Sequence, residues 1–308
     1  GQQVAQVDLD PGGYYYLHRS ALIACLEAGV RAWGVPVKTG LYVRNIDPRQ
    51  ARLSFVGDSG DDLGESESFE LVLAADGLKS AAREILNGAE TARFSGQVAW
   101  RAIVSTDDPN PQGTVHMGPG CHIVRYPLRE GRRNLVAVME QKAWAEASWS
   151  VEGDPSAVRA AFEMFPKDVR SDLAKIERAY KWGLFLNPAA ARLSKDRLCL
   201  LGDAAHPTLP FLAQGANLAL EDAWILTACL LAGETFGAAF DRYDALRRPR
   251  VNRVLHLARA NARNFHFRPP LQAPAHWILR TAEWMRPGTF TNRVRDVYDY
   301  DATNAVTP

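Results

Sequence analysis

Residues 200–223, LLGDAAHPTLPFLAQGANLALEDA, hold the densest set of chemistry-bearing positions in the chain. An apolar run ends at Gly202-Asp203, which delivers a carboxylate at the carboxyl end of a strand, where a ligand hydroxyl could be held. Pro207 and Pro210 stiffen the loop that follows, and Gln214-Gly215-Ala216-Asn217 opens a helix. Amides at a helix start carry partial positive charge and favour an anion; Gly215 lets the backbone approach that anion closely. The plain alternative is an ordinary Asp turn between strand and helix, and the density of special residues argues against it. A second turn, Asp76-Gly77, precedes Ser80 and Arg83; alone it is weak, because Asp and Gly dominate turns for steric reasons. A third segment, 122–128 (HIVRYPL), alternates so that His122, Val124 and Tyr126 face one way. Four strand residues span ~13 Å, so His122 and Tyr126 cannot grip one atom from a regular strand. They flank a ligand ring, or they are a buried structural pair.

The elements that must position these residues follow from periodicity. Residues 14–28 end in helical spacing, with Leu22, Ile23 and Leu26 as a stripe and Gly29 as the stop. Strands are expected at 35–46, 52–56 and 69–75, with a polar loop at 57–68 and a helix from Ser80. Residues 1–10 read as the middle of a strand. Short β segments at 98–104, 114–117, 122–128 and 134–139, separated by Gly and Pro turns, fit an antiparallel sheet; helices follow at 155–165 and 169–176. A strand at 197–201 then leads to a helix from Gly215 to Leu231, apolar on most faces and therefore expected to be buried. Residues 236–262 read as an Arg-rich helix whose arginines form a solvated face. Trp277 and Trp284, seven apart, read as core packing in preference to a dimer or membrane-facing surface. The fold class is α/β: a Rossmann-like part (11–90 and 193–262) interrupted by a mostly antiparallel β part (1–10 and 91–192), with a helical tail at 263–308.

Composition narrows the function classes. The 308 residues allow about two domains at roughly 150 residues each. Lys plus Arg total 36 against 35 Asp plus Glu, so no broad phosphate-binding face for nucleic acid is expected. Four cysteines without paired spacing exclude a disulfide framework and imply a reduced, cytoplasmic setting. The longest apolar run, 223–232, falls short of the ~20 residues that span a bilayer, so no integral membrane segment is expected. There is no G-x-S-x-G, and His and Cys lack ligand spacing; no metal is expected, and His206 reads as an anchor of its own loop.

With these residues in order, the chain resembles the flavin-dependent aromatic hydroxylases of the para-hydroxybenzoate hydroxylase superfamily, and more closely their salicylate and 3-hydroxybenzoate hydroxylase branch. The resemblance implies that Asp203 binds the ribityl hydroxyls of FAD and that amides near Gly215, Ala216 and Asn217 stabilise negative charge on the reduced flavin. Pro210 would sit beside the ring, near the substrate. Residues 76–83 (DGLKSAAR) resemble the D-G-x-x-S-x-x-R motif, in which Asp76 and Gly77 help hold the pyrophosphate region. Residues 16–22 (YLHRSAL) resemble a helix whose arginine, here Arg19, contacts FAD. Ala213 departs from the glycine that many relatives carry before the Gln. His122 and Tyr126 match a His and a Tyr that line the substrate site, where imidazole titrating near working pH would polarise a phenol and help remove its proton. Segments 95–102, 243–254 and 297–301 are smaller echoes of the same branch.

The implied activity is an FAD-dependent monooxygenase that hydroxylates a phenolic or N-heteroaromatic carboxylate. NADH or NADPH serves as transient reductant, and O2 is taken up at C4a of the reduced flavin as a hydroperoxide and delivered ortho or para to an ionised hydroxyl. Partners are then the small aromatic substrate and O2, with monomer and homodimer both open. Two alternatives stand beside it: a related FAD oxidoreductase of another reaction type, and a truncated, flavin-free fragment or pseudoenzyme. The second rests on an omission. Family members open with a strand–GxGxxG–helix unit that cradles the pyrophosphate, and this sequence, which starts at Gly1, contains no such motif. A chain lacking that first βαβ unit is expected to bind FAD weakly or not at all by itself.

Overall fold

The computed structural model describes residues 3–7, 14–57, 59–108, 110, 112–144, 151–233 and 235–306. Helix α1 (Arg19–Ala32) begins where His18 Nδ1 accepts from the Ser20 N–H, and runs through Gly29 to end before Gly34, whose φ of +68° only glycine adopts cheaply. A hairpin ladder follows, β1 (Tyr42–Asp47), β2 (Arg52–Val56) and β3 (Asp62–Glu65), then β4 (Val72–Ala74) and α2 (Ala81–Asn87). Next come β5 (Arg93–Ser105), β6 (Thr114–Gly118), β7 (Cys121–Leu128), β8 (Arg132–Glu140) and β9 (Val151–Gly153). Helices α3 (Pro155–Ala161) and α4 (Lys167–Ala174) precede β10 (Ala179–Leu186), β11 (Ser194–Lys195) and β12 (Leu198–Leu200). The chain ends in α5 (Gly215–Leu231), α6 (Phe236–Asn264), α7 (Gln272–Met285) and α8 (Thr289–Tyr298).

These elements form two units, one from Gly1–Val35, Phe94–Phe185 and Ala262–Tyr300, the other from Pro36–Arg93, Leu186–Asn261 and Asp301–Pro308. The first is built on a six-stranded sheet ordered β6-β7-β8-β5-β10-β9. Its alternation buries Trp100, Ala102, Ile123, Leu135 and Ala137 against Phe162, Phe165, Val169 and Leu173 around α3 and α4. Residues of opposite parity on β7, His122 and Tyr126, lie on the other face and pair in register with Val138 and Asn134 of β8.

The second unit carries the sheet β11-β12-β4, in which β12 and β4 run parallel, with Leu200 opposite Ala74. Leu198, Cys199 and Leu200 are wholly apolar because both faces of β12 are covered; Ile225, Leu226 and Cys229 of α5 and Phe240 and Tyr243 of α6 share their core.

Four expectations are corrected. The polar stretch 57–68 contains β3, since pairing with β2 outweighs its poor strand propensity. Helix α5 is not buried all round: Leu220, Trp224 and Leu231 are exposed, and the core takes only one stripe. Arg247 and Arg250 of α6 are buried, not a solvated face. Trp277 and Trp284 of α7 are 65% and 83% exposed, because α7 buries no residue. Of the strand expected at 1–10, residues 3–7 are not in a strand, and the others lie outside the described residues. Among the described residues no helix is long and apolar enough to cross a membrane.

Candidate functional site

The parallel pair β4–β12 decides where the site of the second unit lies. Each strand ends in a turn at its carboxyl end: Asp76-Gly77 two residues past Ala74, and Gly202-Asp203 two residues past Leu200. The short 3-10 helices at these turns, Gly77–Lys79 and Gly202–Ala204, pack together, and the second also packs on α5. Asp76, Gly77, Asp203 and the start of α5 are thus brought into one region, where ligands of open α/β sheets are held.

Glycine at 202 is required twice over. Its φ is +60°, and a Cβ there would meet the Ala219 Cβ of α5 at 3.2 Å. Ala213 also has a left-handed φ, +52°, a conformation that costs an alanine about 1–2 kcal/mol.

Behind the turn stands a buried polar brace. The Asp222 carboxylate on α5 has 0% exposure; Oδ2 accepts from the Gly202 N–H at 2.8 Å and from His206 Nε2 at 2.6 Å. Its Oδ1 accepts from Arg247 Nε at 2.7 Å. Burial pushes the Asp222 pKa up, yet the hydrogen bond from His206 and the positive charge of Arg247 outweigh it and hold the group below the ordinary carboxylate range. Arg247 also meets Glu221 at 2.8 Å, and Glu221 meets Arg250 at 2.9 Å. His206 therefore anchors its loop as the sequence implies, and among the described residues no cluster of His, Cys, Asp and Glu could hold a metal.

Arg83, last residue of the D-G-x-x-S-x-x-R motif, ties the two turns together. Its guanidinium donates to the carbonyls of Ala204 (3.3 Å), Ala205 (3.2 Å) and Pro188 (2.8 Å), and pairs with Glu90. Ser80 caps α2 through the Arg83 N–H, and Asp76 Oδ2 accepts from the Ala82 N–H at 3.3 Å. Asp222, Arg247 and Arg83 were not singled out as functional from sequence. A detectable signal was the Glu221-Asp222 pair inside an otherwise apolar helix, since buried carboxylates demand partners.

In front of the turn the groups are disposed for an anionic, multiply hydrogen-bonding ligand. Asp203, Pro210, Ala216 and Asn217 are exposed. The first helical bond of α5 is Leu218 N–H to Gln214 O, at 2.8 Å, so the amides of Gly215, Ala216 and Asn217 precede the intrahelical ladder. Gln214 is 2% exposed and gives α5 no side-chain cap. Its Oε1 takes Asn217 Nδ2 at 3.5 Å, while its buried Nε2 has no hydrogen-bond partner among the described residues. Unused amides plus a buried amide donor fit the electron-rich pyrimidine edge of a flavin, and exposed Asp203 fits a polyol chain.

The remaining expected residues belong to the first unit. Arg19 is exposed at the start of α1. Tyr126 stacks on Tyr16 at 5.2 Å between centroids, 17° from parallel, and Tyr16 Oη accepts from the Gly113 N–H at 3.1 Å. Burial raises the Tyr126 pKa despite Arg101 nearby. His122 is fully buried, with Nδ1 2.7 Å from His266 Nε2, and burial drives its pKa well below the ordinary histidine value. Burial first, and the neighbouring His266 second, favour its neutral form. His266, two residues beyond the end of α6, was not anticipated; no motif marks it.

Comparison with known proteins follows the same lines. The model of a family described as FAD binding domain matches residues 20–258. A 3-amino-4-hydroxybenzoate 2-monooxygenase, PtnB3 of Streptomyces platensis, is 38% identical over 210 residues, 66% of this chain and 53% of that protein. The 3-hydroxybenzoate 6-hydroxylase of Klebsiella oxytoca is 32% identical over 264 residues, 83% of this chain and 65% of the relative. The chain thus spans between about half and two thirds of the length of these relatives. Among solved structures, a salicylate hydroxylase substrate complex superposes with a TM-score of 0.74 at 22% identity, covering 94% of this chain and 76% of that one. Klebsiella pneumoniae HpxO with FAD and uric acid gives a TM-score of 0.73 at 24% identity, covering 90% and 71%. At such identities the likeness is one of fold.

Proposed function

Because the chain belongs to the FAD binding domain family, we propose that it is the greater part of an FAD-dependent monooxygenase that hydroxylates a phenolic or N-heteroaromatic carboxylate, with NAD(P)H and O2 as co-substrates. The observation that carries the cofactor side is the turn at Gly202-Asp203, braced from behind by Asp222 and open in front to an uncapped helix start with the Gln214 Nε2 donor. Bound FAD supplies the redox chemistry, accepting a hydride from NAD(P)H and activating O2. Asp203 would accept from ribityl hydroxyls, Asp76 and Gly77 would help hold the pyrophosphate region, and Arg19 would offer positive charge to the cofactor.

Amides of Gly215, Ala216 and Asn217, with Gln214, would stabilise negative charge on a bound reduced flavin; being held by the backbone, they would need little reorganisation. Pro210 is exposed at the head of its 3-10 turn, stiffens the loop there, and would lie beside the ring. On the substrate side, His122 and Tyr126 share one face of β7, where the Tyr16–Tyr126 stack offers an aromatic surface to a flat ring. The substrate class is supported by the relatives that act on hydroxybenzoate and aminohydroxybenzoate.

The test is direct. Purified protein is titrated with FAD, and NAD(P)H consumption is followed with a panel of hydroxybenzoates and hydroxynicotinates under 18O2. With a strand–GxGxxG–helix unit supplied, flavin binding, faster NAD(P)H consumption with one panel member and 18O in a hydroxylated product are expected. Flavin binding without 18O incorporation into any panel member overturns the hydroxylase reading. No flavin binding in protein that is folded by circular dichroism, either alone or supplied with a strand–GxGxxG–helix unit, overturns the cofactor side.

A further inference from the structure

Two buried histidines, His122 and His266, share one proton across 2.7 Å, and its direction is set at the far end of the chain of contacts. Gln97 on β5 places Nε2 2.8 Å from the carbonyl oxygen of Ala262. A carbonyl only accepts, so that atom must be the amide nitrogen. The same Nε2 lies 3.0 Å from His266 Nδ1, where its second hydrogen is donated. Nδ1 of His266 is therefore an acceptor, and the ring proton resides on Nε2, aimed at His122 Nδ1. His122 in turn receives at Nδ1 and carries its own proton on Nε2.

We infer that Gln97 and His266 are positioning residues that lock His122 as the neutral Nε2–H tautomer, a hydrogen-bond donor and not a base. The polarity runs Gln97 to His266 to His122. If His122 meets the aromatic substrate, which rests on the reading under Proposed function, it offers a proton to a ring oxygen or carboxylate and favours the anionic form, where the sequence had implied proton removal.

The surroundings keep the pair neutral. The charged groups that face it are Glu140 and Arg268: Glu140 Oε1 is 3.5 Å from His266 Nδ1, while its Oε2 is held by Arg268 Nη2 at 2.5 Å. The carboxylate is thus engaged by arginine and sits farther from Nδ1 than Gln97 does. Cys121 is the other titratable neighbour of Glu140 and Arg268, its thiol pushed up by burial. The Phe265 ring lies 5.1 Å from the His122 ring, an apolar edge that disfavours imidazolium. Burial lowers the pKa of His266 and outweighs the opposing pull of Glu140, as burial also lowers that of His122.

The experiment is long-range 1H–15N correlation NMR of 15N-histidine-labelled protein between pH 5.5 and 8.5, with the His122 signal assigned by its loss in His122→Asn. The expected result is one Nε2–H tautomer for His122 that does not titrate across this range. His266→Phe, which removes the donor, should mix the two tautomers; His266→Gln, whose amide can still donate to Nδ1, should restore one. If His266→Phe does not fold, Gln97→Met keeps both rings, removes only the orienting amide, and should also mix them. An Nδ1–H tautomer for His122 in the unsubstituted protein overturns the inference, as does a single unchanged tautomer in His266→Phe or Gln97→Met. The NMR result is independent of turnover, so loss of the hydroxylase reading leaves this measurement decisive by itself.

Discussion

Replacing Asp222 by alanine removes the acceptor of the Gly202 N–H, of His206 and of Arg247 in a place that water does not reach. Breaking a buried ion pair by deleting one partner costs about 3–5 kcal/mol, because the other charge stays buried. Glu221, still 2.8 Å from Arg247, moves this toward the lower end. The orphaned Gly202 N–H adds about 1–3 kcal/mol. These losses belong to one network and do not sum fully, so about 4 kcal/mol is expected. Urea unfolding followed by circular dichroism measures it, read in the transition of the unit that carries β12. Pairing the change with Arg247→Met removes the stranded charge and should recover at least about 1.5 kcal/mol relative to the sum of the two single variants. A loss below about 1 kcal/mol for Asp222→Ala, or strict additivity with Arg247→Met, would refute the brace. The acid limb has a defined sign: Asp222 is depressed in the fold, so its stabilisation is present above the ordinary carboxylate value and disappears as pH falls through the folded one.

Other perturbations test separate parts. Asp203→Ala, at an exposed position, should leave the melting temperature nearly unchanged but weaken FAD binding about 10- to 100-fold, the equivalent of roughly 1.5–3 kcal/mol for a hydrogen-bonded charged group; equal affinity by fluorescence titration would remove Asp203 from the cofactor site. His122 and His266 have pKa values lowered by burial, so stability should be complete above the ordinary histidine value of about 6.5 and decline below it, by up to about 1.4 kcal/mol per pH unit for each ring. Melting between pH 7.5 and 5.5 should show this slope, and His122→Gln should flatten it; an unchanged slope in that variant counts against neutral burial. Ala213→Gly relieves a left-handed alanine and should stabilise the protein by about 0.5–1 kcal/mol after the entropy of the unfolded glycine is counted; a loss of stability would contradict strain at that turn.

Local chemistry is what the sequence made legible. The strand that ends at Leu200, the Gly202-Asp203 turn and the helix from Gly215 to Leu231 are encoded within a short segment, so their signals do not depend on distant contacts. The four β segments at 98–139 were equally readable, because alternation and Gly or Pro turns mark antiparallel strands from within. What escaped were residues whose meaning lies far along the chain. Arg247 looks like a solvated helix residue until Asp222, on another helix, is placed against it. His266 gains a role only through His122 on β7 and Gln97 on β5, neither near it in sequence. Leu220 and Trp224 show the converse, since an apolar composition tells how much of a helix is buried but not which side.

The brace behind the Gly202 turn separates scaffold from contact. Holding is done by Asp222, His206, Arg247 and Arg83, none of which needs to touch a ligand, while Asp203, Pro210, Ala216 and Asn217 take no part in that brace and are exposed. A turn anchored from the rear tolerates exchange at its front, so natural variants could retune cofactor electronics or substrate fit without first solving a folding problem. A randomised library confined to the forward positions should therefore yield mostly folded proteins, whereas one drawn from the rear set should yield few.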